Sequence, residues 1–330
     1  MTAAFVLSGG ASLGAAQVGM LTALTEAGVQ PDLVIGTSVG AINGSWVAGG
    51  SHPAELGAVW RALRRDTVFP ARPLGGLLGF IGTRCHLVPD SGIRRLLRDH
   101  LRFDRLEDSP VPFHVVATDL LSGCDTLLSR GDAVDAILAS TAIPGVLPPV
   151  RIAGRELMDG GVVNNTPISH AVRLGADVIW VLAAGYSCAL AERPRSALGL
   201  ALHAATLSIN QRLAADIKRY SRRADVRMVP PLCPIRIAAA DFSRAGELIE
   251  RAHALTRDWL ADGSPQQSSA VSKLAPHGHA AASSARRRIP EPGPQPDMDA
   301  RDSTRDEHAL DVRRTVRRRR PAPTPPSLPQ

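Results

Sequence analysis

Short apolar runs alternate with helix-length segments in the first part of the chain. Residues 3–8 and 33–35 are apolar runs of strand length. Between them, residues 14–26 carry apolar side chains at three- and four-residue spacing, which predicts a helix that Gly28 ends. A second helix-length segment follows at 39–48. Strand, helix, strand and helix joined by short loops predict parallel strands with right-handed crossovers.

The same alternation continues to about residue 263. Further strands are predicted at 113–118, 125–129, 150–158 and 177–183. Further helices are predicted at 54–65, 91–101, 132–140, 167–175, 197–223 and 243–261. With 44% hydrophobic residues, the chain can bury a sizeable core. We therefore predict one three-layer α/β/α domain with a mostly parallel central sheet over residues 1–263.

Residues 264–330 differ in composition from the rest of the chain. Pro, Ser, Ala and Arg dominate, and the apolar periodicity ends. Because such a segment buries too little apolar surface to offset its ordering entropy, we predict a disordered basic tail. Its arginine runs at 286–288 and 317–320 are typical of solvated charge, and they would also suit peripheral contact with an anionic membrane. The tail has no interleaved aromatic residues, so nucleic-acid binding is not expected.

Cysteine usage and the N-terminus indicate a cytoplasmic protein. The four cysteines are too far apart in sequence for a disulfide framework or a zinc motif. Residues 1–4 lack the positive region of a signal peptide and run directly into the first predicted strand. No apolar stretch approaches the length of a membrane span. We expect neither a signal peptide nor a transmembrane segment.

The sequence at residues 36–40, Gly-Thr-Ser-Val-Gly, has the form of a nucleophile elbow. An apolar strand leads into it and a helix of small residues leads out, which exposes the hydroxyl of Ser38 at a helix N-terminus. Gly36 and Gly40 fit a turn with no room for a β-carbon. This context favours a catalytic serine, with a purely structural glycine turn as the alternative.

A glycine-rich loop at residues 8–14 joins the first strand to the first helix. Such a loop could bind the phosphates of a dinucleotide through its backbone amides. However, Ala11 occupies the second glycine position of that motif, and the next strand ends in the elbow instead of an acidic residue. Next to a nucleophile, the same amides are better suited to stabilise an oxyanion.

The serine needs a base, and the sequence favours Asp159 over any histidine. Asp159 ends an apolar strand and is followed by Gly160 and Gly161, which let a substrate or facing backbone approach closely. An Asp that merely closes a glycine-rich turn is the alternative. None of the ten histidines stands in a comparable setting: His52, His86, His100, His114, His170, His203, His253, His277, His279 and His308.

Taken together, these segments resemble the patatin-like phospholipases, serine lipid acyl hydrolases with a Ser–Asp dyad. The resemblance covers about residues 3–185 and depends on five blocks in the family's order: 8–14, 36–43, 117–120, 139–145 and 159–167. It implies Ser38 as nucleophile, Asp159 as base, and no metal or cofactor. It also implies an oxyanion hole at Gly9, Gly10 and Ala11, and structural support from Gly14, Gly36, Gly40, Gly160 and Gly161.

The first loop departs from the family pattern at two positions. Ala11 replaces the third glycine, and Leu13 replaces an arginine or lysine. Backbone donors survive both changes, but the loss of the cation weakens the case for binding an anionic head group. The resemblance therefore implies a lipid ester substrate. A serine esterase or acyltransferase for small or thioester substrates and a catalytically silent lipid-binding relative are the alternatives.

Two further expectations concern the site and its cover. A carboxylate is a weak base toward a serine hydroxyl, so Asp159 should be desolvated and have a raised pKa. Residues 69–89 combine Leu, Phe and Ile with Gly and Pro. That composition fits a connection packed over the core, or else a mobile apolar lid.

Overall fold

A computed structural model describes residues 1–70, 85–185, 197–235 and 237–263, with backbone only at 197–199 and 201–202. The predicted tail and its proposed membrane contact therefore lie outside the described residues. The same holds for positions 71–84 of the predicted connection or lid. Within the described ranges, no helix is both long enough and apolar enough to span a membrane.

Eight described strands form one sheet. They are β1 (Ala3–Leu7), β2 (Leu33–Thr37), β3 (Phe113–Asp119), β4 (Asp125–Leu128), β5 (Val150–Ile152), β6 (Arg155–Asp159), β7 (Val178–Leu182) and β8 (Asp225–Met228). The described α-helices are α1 (Ala15–Glu26), α2 (Val39–Ala48), α3 (Pro53–Ala62), α4 (Arg65–Val68), α5 (Ser91–His100), α6 (Ala133–Thr141), α7 (Gly161–Asn164), α8 (Ile168–Arg173), α9 (Ala197–Tyr220) and α10 (Ala245–Ala261). Short 3₁₀ turns cover Ala11–Gly14 and Leu106–Asp108.

The central part of the sheet is parallel, as predicted. Strands β3, β2, β1, β7 and β8 lie side by side in that order, each parallel to its neighbour. Strands β4 and β6 run antiparallel to β3, and β5 runs antiparallel to β6. The sheet is therefore mixed with a parallel centre, and it carries helices on its faces, which confirms the predicted fold class.

Alternation along the strands creates an apolar layer on each face of the sheet. In β1, Phe5 and Leu7 belong to the larger core, which includes side chains of α1, α2, α3, α6 and α10. Ala4 and Val6 belong to the smaller core, which includes side chains of α8 and α9. The helices that contribute to these two cores form the outer layers of the predicted three-layer arrangement, with the sheet between them.

Two predicted elements differ from the structure. The single strand predicted at 150–158 is the hairpin of β5 and β6, because Ala153 and Gly154 both have positive φ, at 49° and 78°, and form a tight turn. The helix predicted at 54–65 ends at Ala62, because the backbone of Leu63 is extended. Helix α4 then begins at Arg65. Strand β8, which sequence reasoning missed, is short and alternates buried with charged positions.

One edge of β3 is shared by two strands, and this places the site. The first half of that edge pairs with β2, ending with Thr37 opposite Val116. The second half pairs with β6, beginning with Asp159 opposite Ala117. Strand β4 pairs with Val115, Val116, Ala117 and Thr118, so it must occupy the other edge. The C-terminal ends of β2 and β6 therefore meet on consecutive residues of β3.

Candidate active site

Ser38 occupies the sharp turn between β2 and α2. Its backbone has φ 55° and ψ −125°, a left-handed conformation that is costly for any residue other than glycine. The side chain is 7% exposed, and the turn places it at the N-terminus of α2. Such strain in a non-glycine residue is typical of functional positions, where surrounding contacts maintain it.

The supporting glycines allow the backbone segments around the elbow to touch. A β-carbon on any of the five would lie within 3 Å of a neighbouring atom, so a larger residue would force the neighbours apart. The nearest atoms are Val39 Cγ2 for Gly14 (2.4 Å), Gly40 O for Gly36 (2.4 Å), Leu7 O for Gly40 (2.3 Å), Val116 O for Gly160 (2.2 Å) and Asn165 Oδ1 for Gly161 (2.8 Å).

The Ser38 hydroxyl donates a hydrogen bond of 2.7 Å to Oδ2 of Asp159. The other carboxylate oxygen, Oδ1, accepts the Gly161 N–H at 2.7 Å, which fixes the rotation of the carboxylate. Asp159 is only 6% exposed. Burial raises its pKa to about 6, against the opposing effects of the hydrogen bonds from Gly161 and Ser38. The expected desolvated carboxylate is present beside the expected nucleophile.

The first loop offers backbone donors close to Ser38. The N–H of Gly9 already donates to the carbonyl of Asn165 at 3.2 Å. The N–H groups of Gly10 and Ala11 have no acceptor among the described residues, and Ala11 lines the same cavity as Ser38. Ala11 has φ 50°, a backbone conformation that suits the glycine usual in the family. The N–H groups of Gly10 and Ala11 therefore remain candidate donors to an oxyanion, whereas that of Gly9 does not.

No described histidine side chain hydrogen-bonds to Ser38 or Asp159. His170 is buried and contacts Asp125 at 2.8 Å and Arg173 at 2.6 Å. The other described histidines with a side-chain hydrogen bond likewise engage residues outside the dyad: His52, His86, His114 and His253. Among the described residues, no cluster of three His, Cys, Asp or Glu side chains is placed to hold a metal ion.

Ser140 contacts the elbow, and sequence reasoning did not single it out. Its hydroxyl accepts the Ser38 N–H at 2.8 Å and donates to the carbonyl of Val116 at 2.5 Å. Its own carbonyl accepts the N–H of Gly160, next to Asp159, at 3.4 Å. Ser140 is fully buried. It lies in the block 139–145 that supports the resemblance, but its role depends on tertiary contacts that no local pattern reveals.

A narrow apolar cavity of about 50 Å³ opens beside Ser38. Its walls near Ser38 are Ala11, Val39 and Thr141. Farther from Ser38, the cavity is lined by apolar side chains of α2, α3, α4, α5, the segment after α6 and the loop before α10. They include Ile42, Trp46, Trp60, Phe69, Ile93, Leu147 and Phe242. Phe69 is the first residue of the segment 69–89, which was predicted to be a connection or a lid, and its side chain lines this cavity.

Comparison with known proteins places the chain in a family. A family model described as patatin-like phospholipase matches residues 5–172. The chain therefore belongs to the patatin-like phospholipase family, a class of lipid hydrolases, and the sequence resemblance is confirmed.

Several relatives share about half of this chain. An uncharacterized NTE family protein of Mycobacterium tuberculosis is 33% identical over 183 residues, which cover 53% of this chain and 47% of that protein. Lysophospholipase nte1 of Aspergillus terreus is 30% identical over 191 residues, covering 54% and 12%. Patatin-like phospholipase domain-containing protein 7 of Rattus norvegicus is 28% identical over 184 residues, covering 55% and 13%. The aligned region thus spans less than half the length of these relatives.

Two solved structures show weaker similarity. VipD from Legionella pneumophila aligns with a TM-score of 0.39 and 14% identity, over 78% of this chain and 67% of that one. The type III effector protein ExoU aligns with a TM-score of 0.36 and 16% identity, over 83% and 53%.

Proposed function

We propose that this protein hydrolyses lipid acyl esters through an acyl-enzyme on Ser38, with Asp159 as general base. The observation that carries the proposal is the 2.7 Å hydrogen bond from the Ser38 hydroxyl to the buried Asp159 carboxylate, at one end of an apolar cavity. The names of two relatives, a lysophospholipase and a patatin-like phospholipase domain-containing protein, point to the same class of substrate.

In the first half of the reaction, Asp159 accepts the hydroxyl proton as Oγ of Ser38 attacks the ester carbonyl carbon. The carbonyl oxygen becomes anionic and accepts hydrogen bonds from the N–H groups of Gly10 and Ala11. The bond to the alcohol oxygen then breaks, and Asp159 returns the proton to the departing alcohol.

In the second half, water attacks the acyl carbon and gives a proton to Asp159. The carboxylic acid leaves, and Ser38 recovers its proton. The pKa of about 6 at Asp159 supports both steps, because a base whose pKa lies close to neutrality can accept and return a proton readily. Burial of the carboxylate also strengthens every electrostatic contact in the site.

The apolar cavity supports a hydrocarbon chain as the acyl part of the substrate. Removing such a chain from water is favourable by about 0.8 kcal/mol for each buried CH₂ group. Because the cavity is narrow, a longer chain has to displace side chains such as Phe69 or Leu147. An esterase for small substrates is the second candidate, and the small volume of the cavity favours it. The complete hydrogen-bonded dyad argues against a silent lipid-binding role.

The experiment measures hydrolysis of esters of one alcohol with acids of 2 to about 16 carbons. Ser38→Ala should lower every rate at least ~10³-fold, since loss of a serine nucleophile costs up to about 10⁶ in turnover. Ser45→Ala is the matched control, because Ser45 lies on α2 and its hydroxyl donates to the carbonyl of Ile42, away from Ser38 and Asp159. A wild-type preference for long chains supports a lipid hydrolase, whereas a preference for acetate or butyrate esters supports the small-substrate esterase. Activity that persists in Ser38→Ala contradicts both.

A further inference from the structure

A large groove adjoins the apolar cavity at Ser38. It has a volume of about 1240 Å³ and lies between the C-terminal end of α3, α4 and the segment that leads into α10. Among the described lining residues, Leu63, Phe69 and Phe242 line both the groove and the cavity, whereas Ser38 and Ala11 line only the cavity. The three shared side chains therefore form a wall between the cavity at Ser38 and the groove.

An aromatic stack supports this wall. The ring centroids of Trp60 and Phe242 lie 6.2 Å apart with 14° between their planes, and Phe69 meets Phe242 edge-on at 6.1 Å. Trp60 is held in place, because its Nε1–H donates to Oδ1 of Asn43 at 2.9 Å. Trp60 and Phe242 are only 3% and 7% exposed, whereas Phe69 is half-buried. Phe69 is thus the least confined of the three rings.

The cavity on the Ser38 side of the wall is too small for a long hydrocarbon chain. Its volume is about 50 Å³, whereas a dry cavity of about 150 Å³ accommodates one benzene ring. A chain of more than a few carbons therefore needs space beyond the cavity itself. The groove provides that space, and besides its charged residues it is lined by the apolar side chains of Val88, Ala238 and Ala240.

The order of bond changes determines which half of the substrate occupies the cavity. In the proposed reaction the acyl group stays bonded to Ser38, which lines the cavity. The alcohol oxygen has to lie near Asp159 to receive its proton, and Asp159 is not among the described residues that line the cavity or the groove. The chain that extends from Ser38 toward Phe69 is therefore the acyl chain.

We infer that Phe69 and Phe242 determine the length of acyl chain that the cavity at Ser38 accepts, and that a longer chain displaces Phe69 and enters the groove. The inference rests on the proposed function and deepens it, since it names the residues that set chain-length specificity. Displacement of Phe69 costs its packing against Phe242, so the wild type discriminates against acyl chains that reach the wall.

The test measures kcat/KM of the full-length protein for the laurate and butyrate esters of one alcohol and takes the ratio of the two values. Phe69→Ala and Phe242→Ala should each raise this ratio about tenfold or more, because each CH₂ group removed from water contributes about fourfold. Phe103→Ala is the matched control. Phe103 is 7% exposed, like Phe242, and packs edge-on against Phe113, but it is absent from the described lining of the cavity and the groove. It should leave the ratio unchanged.

A second pair of substrates, the dodecyl and ethyl esters of butyric acid, carries the long chain on the alcohol side. The dodecyl-to-ethyl ratio should stay the same in every variant, because the wall faces the acyl chain. Phe69→Leu and Phe242→Leu replace the alanine variants if those fail to fold, and they should raise the laurate-to-butyrate ratio by a smaller factor.

Three results overturn the inference and leave the proposed function intact. They are an unchanged laurate-to-butyrate ratio in every folded wall variant, an equal rise in Phe103→Ala, and an equal or larger rise in the dodecyl-to-ethyl ratio. A wild-type protein that cleaves none of these esters contradicts the proposed function, and this inference with it.

Discussion

Ser38 and Asp159 are 121 positions apart in the chain, yet their side chains meet at 2.7 Å because β6 continues along the edge of β3 where β2 stops. The turn after β2 and the last residue of β6 are thereby held by consecutive residues of one central strand. The distance between the two side chains is thus set by sheet register, which is strongly specified in a buried sheet.

The pH dependence of turnover follows from the environment of Asp159. Because only the ionised carboxylate accepts a proton, kcat/KM on a soluble ester should rise with pH through a single step near 6 and level off above it. The midpoint is measured from initial rates between about pH 4.5 and about pH 9, a range that brackets the expected pKa. Asp159→Asn should lower the plateau by roughly 10²–10⁴. A profile that stays flat down to about pH 4.5 would contradict a raised pKa at the base.

Because Asp159 is buried, its ionised form lowers the free energy of unfolding. Its folded-state pKa, about 6, lies above the ordinary value of 3.8, so native stability is favoured at low pH and falls as pH rises through 6. That gap corresponds to at most roughly 3 kcal/mol. Asp159→Asn should therefore melt at a higher temperature than the wild type at pH 8, and the difference should vanish near pH 4.

Asp119→Asn is the matched control for this stability experiment. Hydrogen bonds from Ser122 and Leu121 hold the pKa of Asp119 below its usual range, so its ionised form stabilises the fold. That variant should melt at a lower temperature than the wild type at pH 8. Equal shifts in the two variants would contradict the assigned electrostatics.

Local glycine and apolar patterns were sufficient to predict the parallel centre of the sheet, and to single out Ser38 and Asp159, whose side chains the structure brings together. The elbow and the end of β6 have signatures within a few residues of Ser38 and Asp159. The turn at Ala153 and Gly154 was missed because an alanine rarely adopts positive φ, and its sequence alone does not indicate a turn. Ser140 was missed because its partners, Ser38 and Val116, are brought to it only by the tertiary fold.

Ser140 should act as a positioning residue for the elbow. Ser140→Ala removes the acceptor of the Ser38 N–H and the donor to Val116 O, so kcat should fall about tenfold or more through misplacement of the nucleophile. Ser45→Ala also removes one hydroxyl-to-carbonyl hydrogen bond on a buried serine but touches neither member of the dyad. Thermal melts and kcat are measured together. If both variants lose similar stability and similar kcat, the effect of Ser140 is structural only.

The core histidines should be dispensable for turnover. His170→Gln removes the buried partner of Asp125 and Arg173, so it should lower thermal stability while keeping most of the activity. His114→Gln, which removes a contact to Ser129, should do the same with a smaller loss of stability. Rates are compared at equal concentrations of folded protein. Complete inactivity in either folded variant would indicate a histidine base in place of the Ser–Asp dyad.

Covalent labelling by a fluorophosphonate tests the central assignment most directly, because the probe reacts only with an activated serine. Intact mass and peptide mapping should show one adduct per chain, on the peptide that contains Ser38. The adduct should be absent in Ser38→Ala and should form much more slowly in Asp159→Asn, while Ser45→Ala labels at the wild-type rate. An adduct on another serine, or equal labelling rates in Asp159→Asn and the wild type, would contradict the Ser38–Asp159 dyad.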